Sequence, residues 1–149
     1  MIDKQIEIAR NVAKVQETIE RAARRAGRCP EEITLIAATK TQTSETIRTA
    51  IKAGVAVCGE NREQELTAHL EDNAYEGAAL HFIGHLQTNK VSKVVGEVAL
   101  IQSVDSSRLL DAIEKQAAKR NLGQAVPLEV NIGRDEHKGG EFPEELPKL

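Results

Sequence analysis

The sequence predicts an α/β fold built on a parallel sheet. Three observations carry this. An amphipathic helix opens the chain, apolar runs too short for helices recur along it, and segments of helical period return between those runs. Such alternation, one helix followed by repeated β-α units, places helices against parallel strands. Right-handed crossovers then leave two arrangements, an open doubly wound sheet or a barrel. Periodicity alone does not separate them.

The opening helix is expected from about residue 3 to 26. Ile8, Val12, Val15, Ile19, Ala22 and Ala26 recur at three- and four-residue steps, and Gly27 stops the stripe. Ile33–Thr39 reads as a strand buried on both faces. Thr43 or Ser44 caps a helix carrying Ile47, Ala50 and Ile51, which Gly54 ends. Val55–Cys58 is the second strand, followed by a polar helix from Glu63 to Leu70. Ala78–Ile83 is the third strand. A short helix carrying Val91, Val94 and Val95 follows and stops at Gly96. Val98–Gln102 is the fourth strand. Asp105 or Ser106 caps a helix holding Leu109, Leu110, Ile113 and Ala117, ending near Asn121-Leu122-Gly123. Pro127–Ile132 is the fifth strand, and Pro143–Leu146 opens a further helix. The 149 residues suffice for one domain, 1–149, with a real core.

Composition excludes several classes of function. Lys and Arg number 20 against 23 Asp and Glu, so there is no basic excess to draw nucleic acid. At 2% aromatic content there is no platform for stacking bases. Cys29 and Cys58 are far apart and form no CxxC pair, as expected of thiols in a reducing cytosol. Asp3, Lys4, Glu7 and Arg10 interrupt any leader-like apolar stretch, and no run approaches a membrane span. The expectation is a soluble cytoplasmic protein.

In either parallel arrangement the loops after the strands share one edge, where such proteins place their sites. Here those loops are polar and charged: Lys40–Thr43, Gly59–Arg62, Gly84–Lys90, Ser103–Ser106 and Gly133–Gly140. Lys40 is the sharpest candidate, because it leaves an apolar strand. An amine in a dry pocket becomes a nucleophile towards aldehydes, and pyridoxal phosphate is the aldehyde cofactor that uses one. The alternative is a strand-end lysine reaching solvent.

Five segments then stand out together: Ala37–Thr41, Gly59–Glu65, His81–Lys90, Ser103–Ser106, and Val130–Ile132 followed by Lys138 and Gly139. In order and content they resemble the successive motifs of the YggS/PROSC family of pyridoxal-phosphate-binding proteins. The resemblance implies a partial (β/α) TIM-type barrel of about five parallel strands, like the N-terminal domain of alanine racemase. It also implies pyridoxal 5'-phosphate held as a Schiff base on Lys40. The family has no established reaction, and no catalytic residue is assigned. Asn61 then reads either as a contact to the cofactor or its linkage, or as a helix-capping asparagine. His81 reads as facing the barrel interior near the cofactor, or as a hydrogen-bonded core histidine. Lys90 and Lys138 would add positive charge near a phosphate, or sit exposed.

Two departures from the family pattern are visible. Gln42 stands where a second lysine is common, and His85 stands where proline is common. Other combinations fall short. His81 and His85 are four apart but straddle Gly84 with no third ligand, so no metal is expected. Ser103, Asp105 and His137 contain the residue types of a hydrolase triad without a nucleophile-elbow sequence. The chain ends after five strand-like runs, whereas a complete barrel takes about 250 residues. No glycine- and serine-rich phosphate motif is present, so the chain is expected to be the N-terminal part of a family member. With edges and interior uncovered, it is expected to self-associate and to hold the cofactor weakly, while full-length relatives are expected as monomers.

The functional reading is therefore a pyridoxal-phosphate-binding protein acting in intracellular vitamin B6 homeostasis. The alternatives are a pyridoxal-phosphate-dependent amino-acid racemase, or a cofactor-free interaction module. Racemisation by two bases needs a second acid/base opposite the lysine. In the alanine racemases that group comes from a C-terminal domain.

Overall fold

The computed structural model describes residues 2–146. Helix α1 spans Ile2–Arg25. It ends in a Schellman turn: Gly27 takes φ +68°, and the Arg28 amide donates to the Ala23 carbonyl at 2.9 Å. Its stripe is seated less deeply than its period suggests. Ile8, Val12 and Ile19 are half-buried, Ala23 is buried, and Val15 is 44% exposed. Next to Val15, the exposed Gln16 donates to the Gly54 carbonyl at 3.0 Å.

A 3₁₀ turn at Pro30–Glu32 leads into β1 (Ile36–Ala38). There follow α2 (Ser44–Lys52), β2 (Val57–Glu60), α3 (Glu63–Glu71), β3 (Ala79–Phe82), a 3₁₀ helix at Thr88–Lys93, β4 (Leu100–Ile101) and α4 (Ser107–Arg120). Thr43 caps α2 through its side chain, and Ser106 caps α4. Asn121 closes α4 in the left-handed region, φ 53°. Among the described residues no helix is long and apolar enough to cross a membrane.

The four strands pair in parallel in the order β1-β2-β3-β4. This sequential order is that of a barrel segment, and a doubly wound order is excluded. The sheet is open. Register and burial together assign its faces. Ala37 pairs with Cys58 and Cys58 with Leu80, while Glu60 pairs with Phe82 and Phe82 with Ile101. Cys58, Leu80, Phe82 and Ile101 are buried in one core with Ile47, Leu66, Leu109 and Ile113 of the helices. The helices therefore cover this face. The opposite face carries the row Ala38, Gly59, His81 and Leu100. Ala38 and Ala79 are exposed there and His81 is half-buried, so β1 is not buried on both faces as its apolar run suggests.

β1, β3 and β4 are shorter than the apolar runs that predict them, while β2 keeps its length and is shifted towards the C-terminus. The 3₁₀ turn at Pro30–Glu32 precedes the first run, whose residues 33–35 stay outside the sheet, and among the described residues β1 pairs on one side only. The run Pro127–Ile132 forms isolated parallel bridges in place of a strand, Val104 to Leu128 and Val130 to Glu141. It lies beside the segment that follows β4, since the Glu129 amide donates to the Val104 carbonyl at 2.8 Å. The expected helix here is 3₁₀ over Thr88–Lys93 rather than α, and Val91, Val94 and Val95 are all buried. At Pro143–Glu145 the chain makes a turn, closed by the Glu145 amide on the Phe142 carbonyl at 2.9 Å. Any helix continuing into 147–149 lies outside the described residues.

Candidate functional site

The C-terminal strand ends carry four loops, those after β1, β2, β3 and β4. Lys40 opens the turn from β1 to α2, two residues past Ala38. Its side chain is exposed, not enclosed in a dry pocket, and has no hydrogen-bond or ion-pair partner among the described residues. The turn around it is tightly held. Thr41 takes φ 62°, a left-handed conformation rare for a β-branched residue. Its amide donates to Glu65 Oε2 at 2.7 Å. The Gln42 carbonyl lies 3.1 Å from His69 Nε2, and the Gln42 amide donates to the Thr39 carbonyl at 3.0 Å.

Asn61 follows β2 and is half-buried. It is not the cap of α3, because Arg62 holds that position and makes no side-chain cap bond. Its Oδ1 is buried with no partner. A buried acceptor left open is costly unless a ligand or water completes it. Its backbone is fixed from above: a Cβ added at Gly84 would overlap the Asn61 carbonyl oxygen. The Gly84 carbonyl in turn accepts from Ser103 Oγ after β4. The loops after β2, β3 and β4 thus lie one on another.

His81 sits on the open face of β3, where Gln102 Nε2 lies 2.9 Å from its Nδ1. With that amide donating, Nδ1 accepts and the ring is the Nε2–H tautomer. Burial pushes the His81 pKa down, which favours this neutral form. Gly59 precedes it in the row. A Cβ there would meet Ile83 Cδ1 at 2.8 Å and Ile36 Cγ2 at 2.9 Å, so only glycine lets those side chains close over the row.

The remaining candidates disperse. Lys90 pairs with Glu63 at 2.8 Å, and Lys138 is exposed beside Asp135 at 3.7 Å. His85 is exposed with Nδ1 3.4 Å from Asp105, parted from His81 and its Gln102 contact. Ser103, Asp105 and His137 each bond elsewhere, so no triad forms. A concavity of about 560 Å³ lies at the other end of β1 and β2, lined by Gln16, Ile19, Ile33, Leu35, Val55 and Val57 among others. It contains none of Lys40, Asn61 or His81 and is not the candidate site.

On the helix-covered side, Thr39 Oγ1 donates to Glu60 Oε1 at 2.7 Å, and Glu60 is fully buried. His69 Nδ1 lies 3.1 Å from the Tyr75 hydroxyl. Since a carbonyl faces Nε2, that nitrogen carries the proton and Nδ1 accepts from Tyr75. Sequence reasoning passed over Gln102, Glu65 and His69. Gln102 ends an apolar run as a polar residue, a signal that was legible. Glu65 and His69 read as ordinary polar positions of a helix.

A parallel sheet of sequential order, with Lys40, Asn61 and His81 at or near its C-terminal edge, defines a barrel-type α/β protein with a candidate site at the strand ends. The curated proteins most informative here are two named pyridoxal phosphate homeostasis protein. That of Aquifex aeolicus is 44% identical over 138 residues, covering 93% of this chain and 60% of the relative. That of Escherichia coli K12 is 36% identical over 146 residues, covering 96% and 62%. Among solved structures, PipY of Synechococcus elongatus PCC7942 with PLP bound matches with TM-score 0.71 and 33% identity, over 88% of this chain and 63% of PipY. No family model matches. The chain is thus similar over most of its length to proteins named pyridoxal phosphate homeostasis protein, and it spans about 60% of the length of the Aquifex relative.

Proposed function

We propose that this chain is a pyridoxal-5'-phosphate-binding domain, residues 1–149, that anchors the cofactor on Lys40 and serves intracellular vitamin B6 homeostasis in the cytoplasm. The observation that carries the reading is the pairing of two features on neighbouring strand ends. Lys40 is an unpartnered primary amine, and Asn61 Oδ1 is a buried acceptor awaiting a donor. The names of the relatives and the PLP-bound PipY structure support it.

When bound, pyridoxal phosphate supplies an aldehyde whose carbon is bonded by an amine nitrogen while the carbonyl oxygen leaves as water. Lys40 provides that amine. Asn61 would accept a hydrogen bond from it through the buried Oδ1. His81, held as the Nε2–H tautomer by Gln102, offers a neutral donor on the open face of the sheet. Self-association belongs to the same reading, since Ile132 is 80% exposed and Phe142 41%.

The test is borohydride reduction of the chain incubated with pyridoxal phosphate, followed by intact-mass and peptide analysis. The label is expected on Lys40, and Lys40→Ala should abolish it. Label that persists in the variant, or maps first to Lys90 or Lys138, overturns the assignment.

A further inference from the structure

We infer that Glu65 is a positioning residue for Lys40, acting through the strained turn at Thr41. The inference rests on the cofactor reading above. Threonine at φ 62° is disfavoured, because its Cβ crowds the backbone there. A turn that keeps such a residue needs external anchors. Three are present, and all come from outside the turn. Glu65 Oε2 accepts from the Thr41 amide at 2.7 Å. His69, one helical turn further along α3, holds the Gln42 carbonyl from 3.1 Å. Thr39, at the root of the turn, bonds Glu60 of β2 at 2.7 Å. Lys40 lies between the Thr39 and Thr41 anchors.

Glu65 is the anchor on the strained residue itself. Its other contact, Arg62 Nη1 at 3.8 Å, involves a largely exposed guanidinium and contributes little. The carboxylate is therefore committed to the Thr41 amide. Without it, the turn is free to relax from the left-handed conformation, and Lys40 is carried away from the strand-end position it shares with Asn61. Reaction rates respond steeply to such displacement.

The experiment uses the full chain and pyridoxal phosphate as probe, reading the rate of borohydride-trapped label on Lys40 beside the thermal midpoint. Glu65→Ala is expected to slow labelling about tenfold. Glu65→Gln, which keeps an acceptor at the same reach, should restore most of the rate. Thr41→Gly added to Glu65→Ala should also restore it, because glycine holds φ 62° without an anchor. A merely structural role for Glu65 would not be rescued by a glycine at position 41. Glu65→Asp keeps the charge and shortens the reach, and it serves where the alanine variant does not fold. Slowed labelling in that variant supports the anchor, and labelling at the parent's rate overturns it. Parent-rate labelling in Glu65→Ala, or a loss that Thr41→Gly leaves unrecovered, likewise overturns it. Absence of label on Lys40 in the parent chain overturns the cofactor reading and this inference together, an outcome distinct from unaltered variants.

Discussion

Glu60 is fully buried in β2, with Oε1 bonded by Thr39 and Oε2 without a partner. Burial pushes its carboxyl pKa up and the nearby Glu65 adds to this, while Thr39 and His69 oppose it. The folded state therefore holds the Glu60 proton more firmly than the unfolded chain does. Its contribution to stability is full below the ordinary glutamate range and declines as pH rises through the raised folded value. Glu60→Gln stays neutral and keeps an acceptor for Thr39. In thermal melts across that window the variant should lose less stability with rising pH than the parent, and parallel profiles would refute this. At this scale the places of Lys40 and Asn61 in strand-end loops and of His81 on β3 were legible. Lys40, Asn61 and His81 do gather at or near the sheet's C-terminal edge. The polar end of the fourth run at Gln102 was legible, but its pairing with His81, like that of Glu65 with Thr41, was hidden, because each partner lies about 20 residues away.

Caps and stops were the most legible features of the elements, since their chemistry is local. Thr43, Ser106 and Gly27 act as their residue types predict. Ser106→Ala should cost about 1 kcal/mol by denaturant titration, the usual loss for an N-cap hydroxyl. Strand extent was less legible. β2 continues through Gly59 and Glu60, poor strand formers, because it is paired on both sides and Thr39 satisfies one Glu60 oxygen. The Pro127–Ile132 run shows the converse. Its composition suits a strand, yet its bridges do not extend into one. Beyond β3 the backbone itself is the constraint. Gly84→Ala places a methyl group on the Asn61 carbonyl, where no flexible side chain can give way. It should destabilise the chain by about 1–3 kcal/mol. Because Asn61 must move, labelling at Lys40 should slow as well, which a melt and a trapping assay on the same variant would read.

Across the whole molecule, topology was legible from the alternation of short apolar runs and helices, and the family resemblance selected the sequential order. What alternation could not convey is how unequally the two sheet faces are covered. The helices bury one face completely enough to exclude Phe82 and Ile101 from solvent, whereas Ala38 and Ala79 on the other remain open. β1 is also unpaired on one side among the described residues. Such an edge and the exposed Ile132 and Phe142 favour contact between copies. Sedimentation should show mass rising with concentration, and Ile132→Lys with Phe142→Ser should reduce it. A concentration-independent monomer would refute this. The stacking of Gly84 on Asn61, and of Ser103 on Gly84, carries a consequence of another kind. Three loops that hold one another cannot open one at a time. Amide exchange at positions 61–62, 83–85 and 102–104 should therefore report one shared opening free energy, as a single cooperative unit does. A ligand that slows exchange in any one of these loops should slow it in all three by the same factor.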